Sequence, residues 1–160
     1  FLYNKAEGTF RHQAENGFPF TVPDVKINCM FEDSRNNLWI GSYDQGYYVI
    51  YDYQGRFNND SWLKSSIGQK SVVSVDCDSK DNIWISTLKD GLYLYNADSE
   101  LFRRINLKKL FNFEGGDKLD ISYVFVDKDD KVWLTGGSGV CRCNFDGHNL
   151  SVENSSSRCN

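Results

Sequence analysis

Residues 72–102 read VVSVDCDSKDNIWISTLKDGLYLYNADSELF, and the fold turns on the centre of that stretch. Ile83, Trp84 and Ile85 are apolar in succession, whereas side chains along a strand point alternately to opposite faces. A sandwich strand buries one face and leaves the other to solvent; this one must bury both. The flanking runs 72–77 and 92–95 also read as strands, set off by the polar clusters DSKDN and TLKDG. A propeller blade, a four-stranded sheet packed between two like neighbours, meets that demand.

The neighbours are in the sequence. INCMFEDSRNNLWIGSYDQGYYVIYDYQGRF from Ile27 and ISYVFVDKDDKVWLTGGSGVCRCNFDGHNL from Ile121 repeat the unit. In each copy an Asp stands six residues before a Trp, giving Asp33 and Trp39, Asp78 and Trp84, Asp127 and Trp133. Gly46 and Gly91 follow their Trp by seven residues and Gly139 by six. The Trp residues are 45 and 49 apart, the period of a four-stranded propeller unit. Each unit is expected to hold strands A (27–32, 72–77, 121–126), B (38–42, 83–87, 132–135) and C (47–51, 92–95, 140–144), with a weaker D near Phe57, Phe102 and Leu150. The opening FLYNKAEGTF aligns with the end of a unit, setting Tyr3 on Tyr95, Asn4 on Asn96 and Phe10 on Phe102. The expectation is an all-β chain, a β-propeller fragment of antiparallel four-stranded blades: strands C and D in 1–12, then blades in 27–60, 72–105 and 121–153. That is about three and a half blades, read as part of a ring of about seven. Only INLKKLFNF, at 105–113, reads as a helical turn.

Composition bounds the function. With 18 basic and 22 acidic side chains the net charge is −4 and no Lys/Arg block is present, so nucleic acid, which needs a concentrated cationic surface, is disfavoured as a partner. Aromatic residues make up 15% of the chain, which excludes a disordered class. The chain starts at Phe1 and lacks a run of about 18 apolar residues; a segment of a longer protein, without membrane contact of its own, is expected. Five Cys form no CxxC pair and read as small buried hydrophobes, with Cys141 and Cys143 on one strand face. His12 and His148 carry no ligand spacing, so neither a metal nor a cofactor is expected.

At EDSRNNLWIGSYDQGYYVIYD (32–52) and CDSKDNIWISTLKDGLYLYNAD (77–98) the chain closely resembles the two-component regulator propeller repeat. It departs from that pattern at Asn37, Asn82 and Lys131, which stand where the family has a turn Gly, and in the residue missing before Gly139. The resemblance implies the periplasmic sensor region of a hybrid two-component system of the kind found in gut Bacteroides. It further implies oligosaccharide ligands, a membrane-bound histidine kinase as output and control of glycan-utilisation genes. The implied partners are an oligosaccharide, the remaining blades of a parent chain and a second copy of that parent.

Residues that recur in every unit read as structural: Trp as inter-blade packing, Asp as turn cap, and Gly46, Gly91 and Gly139 as positive-φ turn positions. Ligand contacts are expected where the repeat is broken, on the connections 13–26, 58–71 and 104–120 and on the turns SYDQG, TLKDG and GGSG, which share one face. There Trp62, Tyr43 and Phe18 offer rings to stack on a pyranose, and Asp44, Lys64, Lys89, Asp90 and Arg104 offer groups for its hydroxyls. Two other classes compete. The same loops could form a protein-interaction or dimerisation scaffold. The repeat is also similar to streptogramin lyase propellers, yet no convergent acid–base pattern is present and no catalytic residue is identified. The open blade faces and edges lead one to expect that the isolated chain associates.

Overall fold

The computed structural model describes residues 2–12, 24–52, 62–64, 67–111, 121–137 and 139–153. A hairpin of β1 (Leu2–Asn4) and β2 (Thr9–Arg11) precedes three four-stranded antiparallel sheets. The first sheet holds β3 (Ile27–Glu32), β4 (Leu38–Ser42), β5 (Tyr47–Ile50) and β6 (Trp62–Lys64). The second holds β7 (Val72–Cys77), β8 (Ile83–Thr87), β9 (Gly91–Asn96) and β10 (Leu101–Arg104). The third holds β11 (Ile121–Val126), β12 (Val132–Gly136), β13 (Gly139–Phe145) and β14 (Leu150–Val152). Within every sheet the strands pair in chain order, so each is a meander, the arrangement of a propeller blade. The opening hairpin keeps the expected alignment: Tyr3 pairs with Phe10 as Tyr95 pairs with Phe102.

The first turn of each blade is built by its Asp. Asp33 Oδ1 accepts from the backbone N–H of Arg35 at 3.0 Å and of Asn37 at 2.9 Å. Asp78 does the same for Lys80 and Asn82, and Asp127 for Asp129 and Lys131. Such side-chain caps replace the backbone partners that a tight turn forfeits. The fourth residue of each turn is left-handed, with φ of 61° at Asn36, 60° at Asp81 and 56° at Asp130, a conformation that Asn and Asp tolerate better than other L-residues. The second turn of each blade ends on Gly46, Gly91 or Gly139, all with positive φ.

The core lies in the seams between blades. Trp39, Tyr47 and Val49 of the first blade pack on Val72, Val75, Ile83 and Ile85 of the second. Trp84, Leu92 and Leu94 of the second pack on Val124, Val126, Val132 and Leu134 of the third. Trp84 and Ile85 are fully buried, as the apolar triplet requires. The inner strands β3, β7 and β11 lie side by side and are tied by polar bonds. Asn28 Nδ2 donates to the Val72 carbonyl at 2.9 Å, Val124 N–H to Ser74 Oγ at 2.8 Å and Val126 N–H to Asp76 Oδ2 at 2.7 Å. Around the turns, Ser34 Oγ reaches Asp81 Oδ1 and Ser79 Oγ reaches Asp130 Oδ2 of the following blade, each at 2.5 Å.

Three details differ from the sequence expectation. Strand D of the first blade is Trp62–Lys64; Phe57 lies outside the described residues. Strand C of the third blade extends over Gly139–Phe145. The helical turn shrinks to α1 (Leu107–Leu110), capped by Asn106 Oδ1 accepting from Lys109 N–H at 3.1 Å. Cys141 and Cys143 share a buried face as expected, their sulfurs 3.6 Å apart. Burial pushes the Cys29 thiol up to about 11 and, with neighbouring carboxylates, Cys77 up to about 12, so both stay protonated thiols. Cys159 lies outside the described residues.

Candidate functional site

The β8–β9 turn, the end of β10 and the start of α1 enclose a cleft of about 520 Å³ lined by Lys89, Asp90, Gly91, Arg104, Asn106 and Lys108 together with Ile105 and Leu107. Local folding shapes it. The Ile105 N–H donates to the Leu92 carbonyl at 2.8 Å, which pins the end of β10 to β9, and buried Leu107 then covers Gly91. A Cβ at Gly91 would come within 3.1 Å of Leu107 Cδ1, and its φ of +89° is one that L-residues rarely adopt. Only Gly closes the turn this tightly.

Asp90 organises the polar groups. Its Oδ2 lies 3.3 Å from Lys70 Nζ and its Oδ1 3.5 Å from Arg104 Nη2, and it accepts the Tyr93 hydroxyl. Burial alone would raise the Asp90 carboxyl, but the Tyr93 hydroxyl, Lys70 and Arg104 outweigh it and hold the group below the usual carboxylate range. Burial and the same carboxylate push Tyr93 up to about 12. The site thus offers a fixed anion, several cations and neutral amide groups within one concave surface.

Of the residues singled out from sequence, Lys89, Asp90 and Arg104 line this cleft. Tyr43 and Asp44 sit on the adjacent β4–β5 turn of the same blade end. Lys70 joins the two turns, its carbonyl accepting from Gly46 N–H at 2.9 Å while its ammonium meets Asp90. The Tyr43 ring is exposed, with Lys26 Nζ 5.8 Å from its centroid. Trp62 and Lys64 are corrected: they belong to strand β6 rather than to a connecting loop. Trp62 pairs with Ile50 at the blade end that carries the Asp-capped turns, away from the cleft. Phe18 lies outside the described residues. Sequence reasoning missed Lys70, Tyr93, Asn106 and Lys108. Lys70 and Lys108 fall in the connections already marked, and their charge was the available signal.

Residues 21–44, which span strands A and B of the first blade, match the family model of the two component regulator propeller. The match covers 24 of the 160 residues. No curated protein matches the sequence. Among solved structures, the extracellular domain of a B. thetaiotaomicron protein described as a hybrid two component system is 21% identical with a TM-score of 0.50, over 71% of this chain and 14% of that one. The extracellular domain of another B. thetaiotaomicron protein, described as a one component system, is 20% identical with a TM-score of 0.59, over 82% of this chain and 18% of that one. The chain spans less than a fifth of the length of either structure. These likenesses establish the propeller fold. The recurring Asp and Trp are occupied by turn and seam, whereas the polar groups of the β8–β9 turn line the cleft.

Proposed function

We propose that this chain forms part of the extracytoplasmic sensor propeller of a hybrid two-component system. It recognises an oligosaccharide on the face that bears Asp90 and Tyr43, and in the periplasm the complex controls a membrane-bound histidine kinase governing glycan utilisation. The observation that carries this reading is the cleft itself. Asp90, Arg104, Asn106 and the lysines present donors and acceptors at fixed positions, and the exposed Tyr43 ring stands on the neighbouring turn. Sugar sites need that mixture, since hydroxyls demand directional partners while the ring face packs on an aromatic surface. The likeness to extracellular domains described as belonging to a hybrid two component system and a one component system supports the same reading. Binding at a propeller rim would bias a conformational equilibrium that the kinase reports.

Calorimetric titration of the full sensor ectodomain carrying this chain, against a panel of plant and host oligosaccharides, tests the proposal. Saturable binding weakened at least tenfold by Tyr43→Ala or Asp90→Ala supports it; a panel with no saturable ligand overturns it. A second reading, a scaffold that associates with protein, is favoured by the exposed Tyr123, Phe125 and Val140 of the third blade. It is consistent with partners in the remaining blades of a parent chain or in a second copy.

A further inference from the structure

The chain is acidic as a whole, with a net charge of −4, yet the cleft of the second blade is cationic. Among the described residues Lys89, Arg104 and Lys108 line it and Lys70 adjoins it, against the single carboxylate of Asp90. Acids gather instead at the opposite blade end, where Asp33, Asp78, Asp81, Asp127 and Asp130 form the capped turns. The net charge of the sequence therefore conceals a local surplus of the other sign.

The first blade supplies an internal comparison. Its β4–β5 turn is SYDQG where the second blade has TLKDG, so Asp44 stands where Lys89 does and Gln45 where Asp90 does. Gln45 Oε1 accepts the Tyr48 hydroxyl at 2.9 Å, as Asp90 accepts that of Tyr93. A neutral amide is thus sufficient to hold the tyrosine. The charge on Asp90 serves something else, and its ion partners say what: it draws Lys70 and Arg104 to the cleft. The Arg104 side chain is 58% exposed and meets Asp90 at a long 3.5 Å, so most of its donor fork remains open to a second acceptor. Lys89 adopts a left-handed φ of 69°, an unfavourable backbone state for a residue without a short polar side chain, of the kind that concentrates at functional sites.

We propose that this cleft selects an acidic saccharide, binding a carboxylate or sulfate group of the ligand between Arg104 and Lys89. The inference rests on the reading of the chain as a saccharide sensor and adds the ligand class. Arg pairs with either oxyanion in the same forked geometry, so the two sources share one chemistry and must be separated by experiment.

The test uses the full ectodomain and four probes: an oligogalacturonide, its carboxyl-reduced counterpart, a sulfated galactan oligosaccharide and its desulfated counterpart. At least one acidic probe is expected to bind at least tenfold more tightly than its neutral counterpart, with affinity falling as salt is added. Which acidic probe binds tells carboxylate from sulfate. Arg104→Gln and Lys89→Gln should each weaken that binding about tenfold. Asp90→Asn, which keeps an acceptor for Tyr93 but releases Lys70 and Arg104 from the cleft, should weaken it too. Equal affinity for acidic and neutral probes, or acidic binding untouched by Arg104→Gln, overturns the proposal. If none of the four binds while another neutral glycan of the wider panel does, the acidic cleft is wrong and the sensor reading stands. If no glycan binds at all, both fail.

Discussion

Trp39 donates its indole N–H to Asp33 Oδ2 at 2.8 Å, joining the two residues whose six-residue spacing marks every repeat. Trp133 and Asp127 make the same bond at 2.7 Å. The second blade breaks the pattern. There Asn82 Nδ2 contacts both oxygens of Asp78, at 3.1 and 2.8 Å, and the buried Trp84 Nε1 has no partner among the described residues. The recurring Asp therefore holds its turn and an indole in the first and third blades, and its turn and a buried side-chain amide in the second.

That difference separates two otherwise matched substitutions. Asp33→Ala unhooks its turn and strands the Trp39 indole N–H, whereas Asp78→Ala unhooks its turn and strands the buried Asn82 amide instead. Leaving a buried donor unsatisfied costs about 1–3 kcal/mol. Asp33→Ala is accordingly expected to destabilise by about 1–2 kcal/mol less in a Trp39→Phe background, where no indole N–H is stranded, than in the wild type, read from denaturant midpoints. Equal losses would mean that the indole bond contributes nothing.

Acid should weaken the third blade. The Trp133 indole bond, helped by the Lys131 and Asp129 N–H groups and by Arg142 and opposed by burial, lowers the Asp127 carboxyl to about 2. An unfolded Asp titrates near 3.9. The folded value is the lower one, so the stabilisation from ionised Asp127 is fully present above about pH 4 and is lost as pH falls toward 2. Intrinsic fluorescence of Trp133, followed in a background with Trp39, Trp62 and Trp84 replaced by Phe, should change over that window. The change should shift or vanish in Asp127→Asn.

Repeat period, strand order and the two-sided burial of strand B were legible because each is written three times, in Asp33, Asp78 and Asp127 and in the triplets around Trp39, Trp84 and Trp133. Strand D was less so. In the first blade the link from Ile50 to Trp62 is longer than the link from Asn96 to Leu101, so spacing carried over from one blade misplaces it, and with it Trp62. The links Ser34 to Asp81 and Ser79 to Asp130 were hidden for another reason. They join residues 47 and 51 apart, and a serine in a polar turn looks the same whether it faces water or the next blade. In the cleft, Lys89, Asp90 and Arg104 could be nominated from repeat-breaking positions. The grip of Asp90 on Lys70 joins residues 20 apart in the chain, brought together where Leu88 N–H bonds the Ser71 carbonyl, and has no local signature.

Gly41 is placed by close approach rather than by φ. A Cβ there would lie 2.5 Å from both Cys29 Sγ and Val72 Cγ1, one on its own inner strand and one on the next blade. These γ atoms can turn away only by leaving their rotamers, and Val72 Cβ, 3.0 Å from the added carbon, moves only with its strand; overpacking of this kind typically costs about 1–3 kcal/mol. Gly41→Ala should lower the melting temperature measurably, and Gly41→Ala with Cys29→Ala should recover part of the loss. A variant as stable as the wild type would show that the first seam has slack.

The outer face of the third blade should drive association. Strand register sets Tyr123, Thr135 and Val140 in one row and Phe125, Trp133 and Arg142 in the next, on one side of the sheet. In the earlier blades the recurring Trp is covered from the following blade, Trp39 by Tyr95 and Trp84 by Phe145. Trp133 instead has Arg142 of its own blade 5.3 Å from its ring, while Tyr123 and Phe125 are each 52% exposed and Val140 58%. Contiguous apolar surface of this kind gains about 25 cal/mol for every Å² removed from water, so the isolated chain is expected to self-associate at micromolar concentration. Replacing Tyr123 and Phe125 together by Ser should shift sedimentation toward monomer without disturbing the seams, because both side chains point away from the second blade. Unchanged association in that double variant would move the contact to a different surface, with the free edges of β6 and β14 next to be tested.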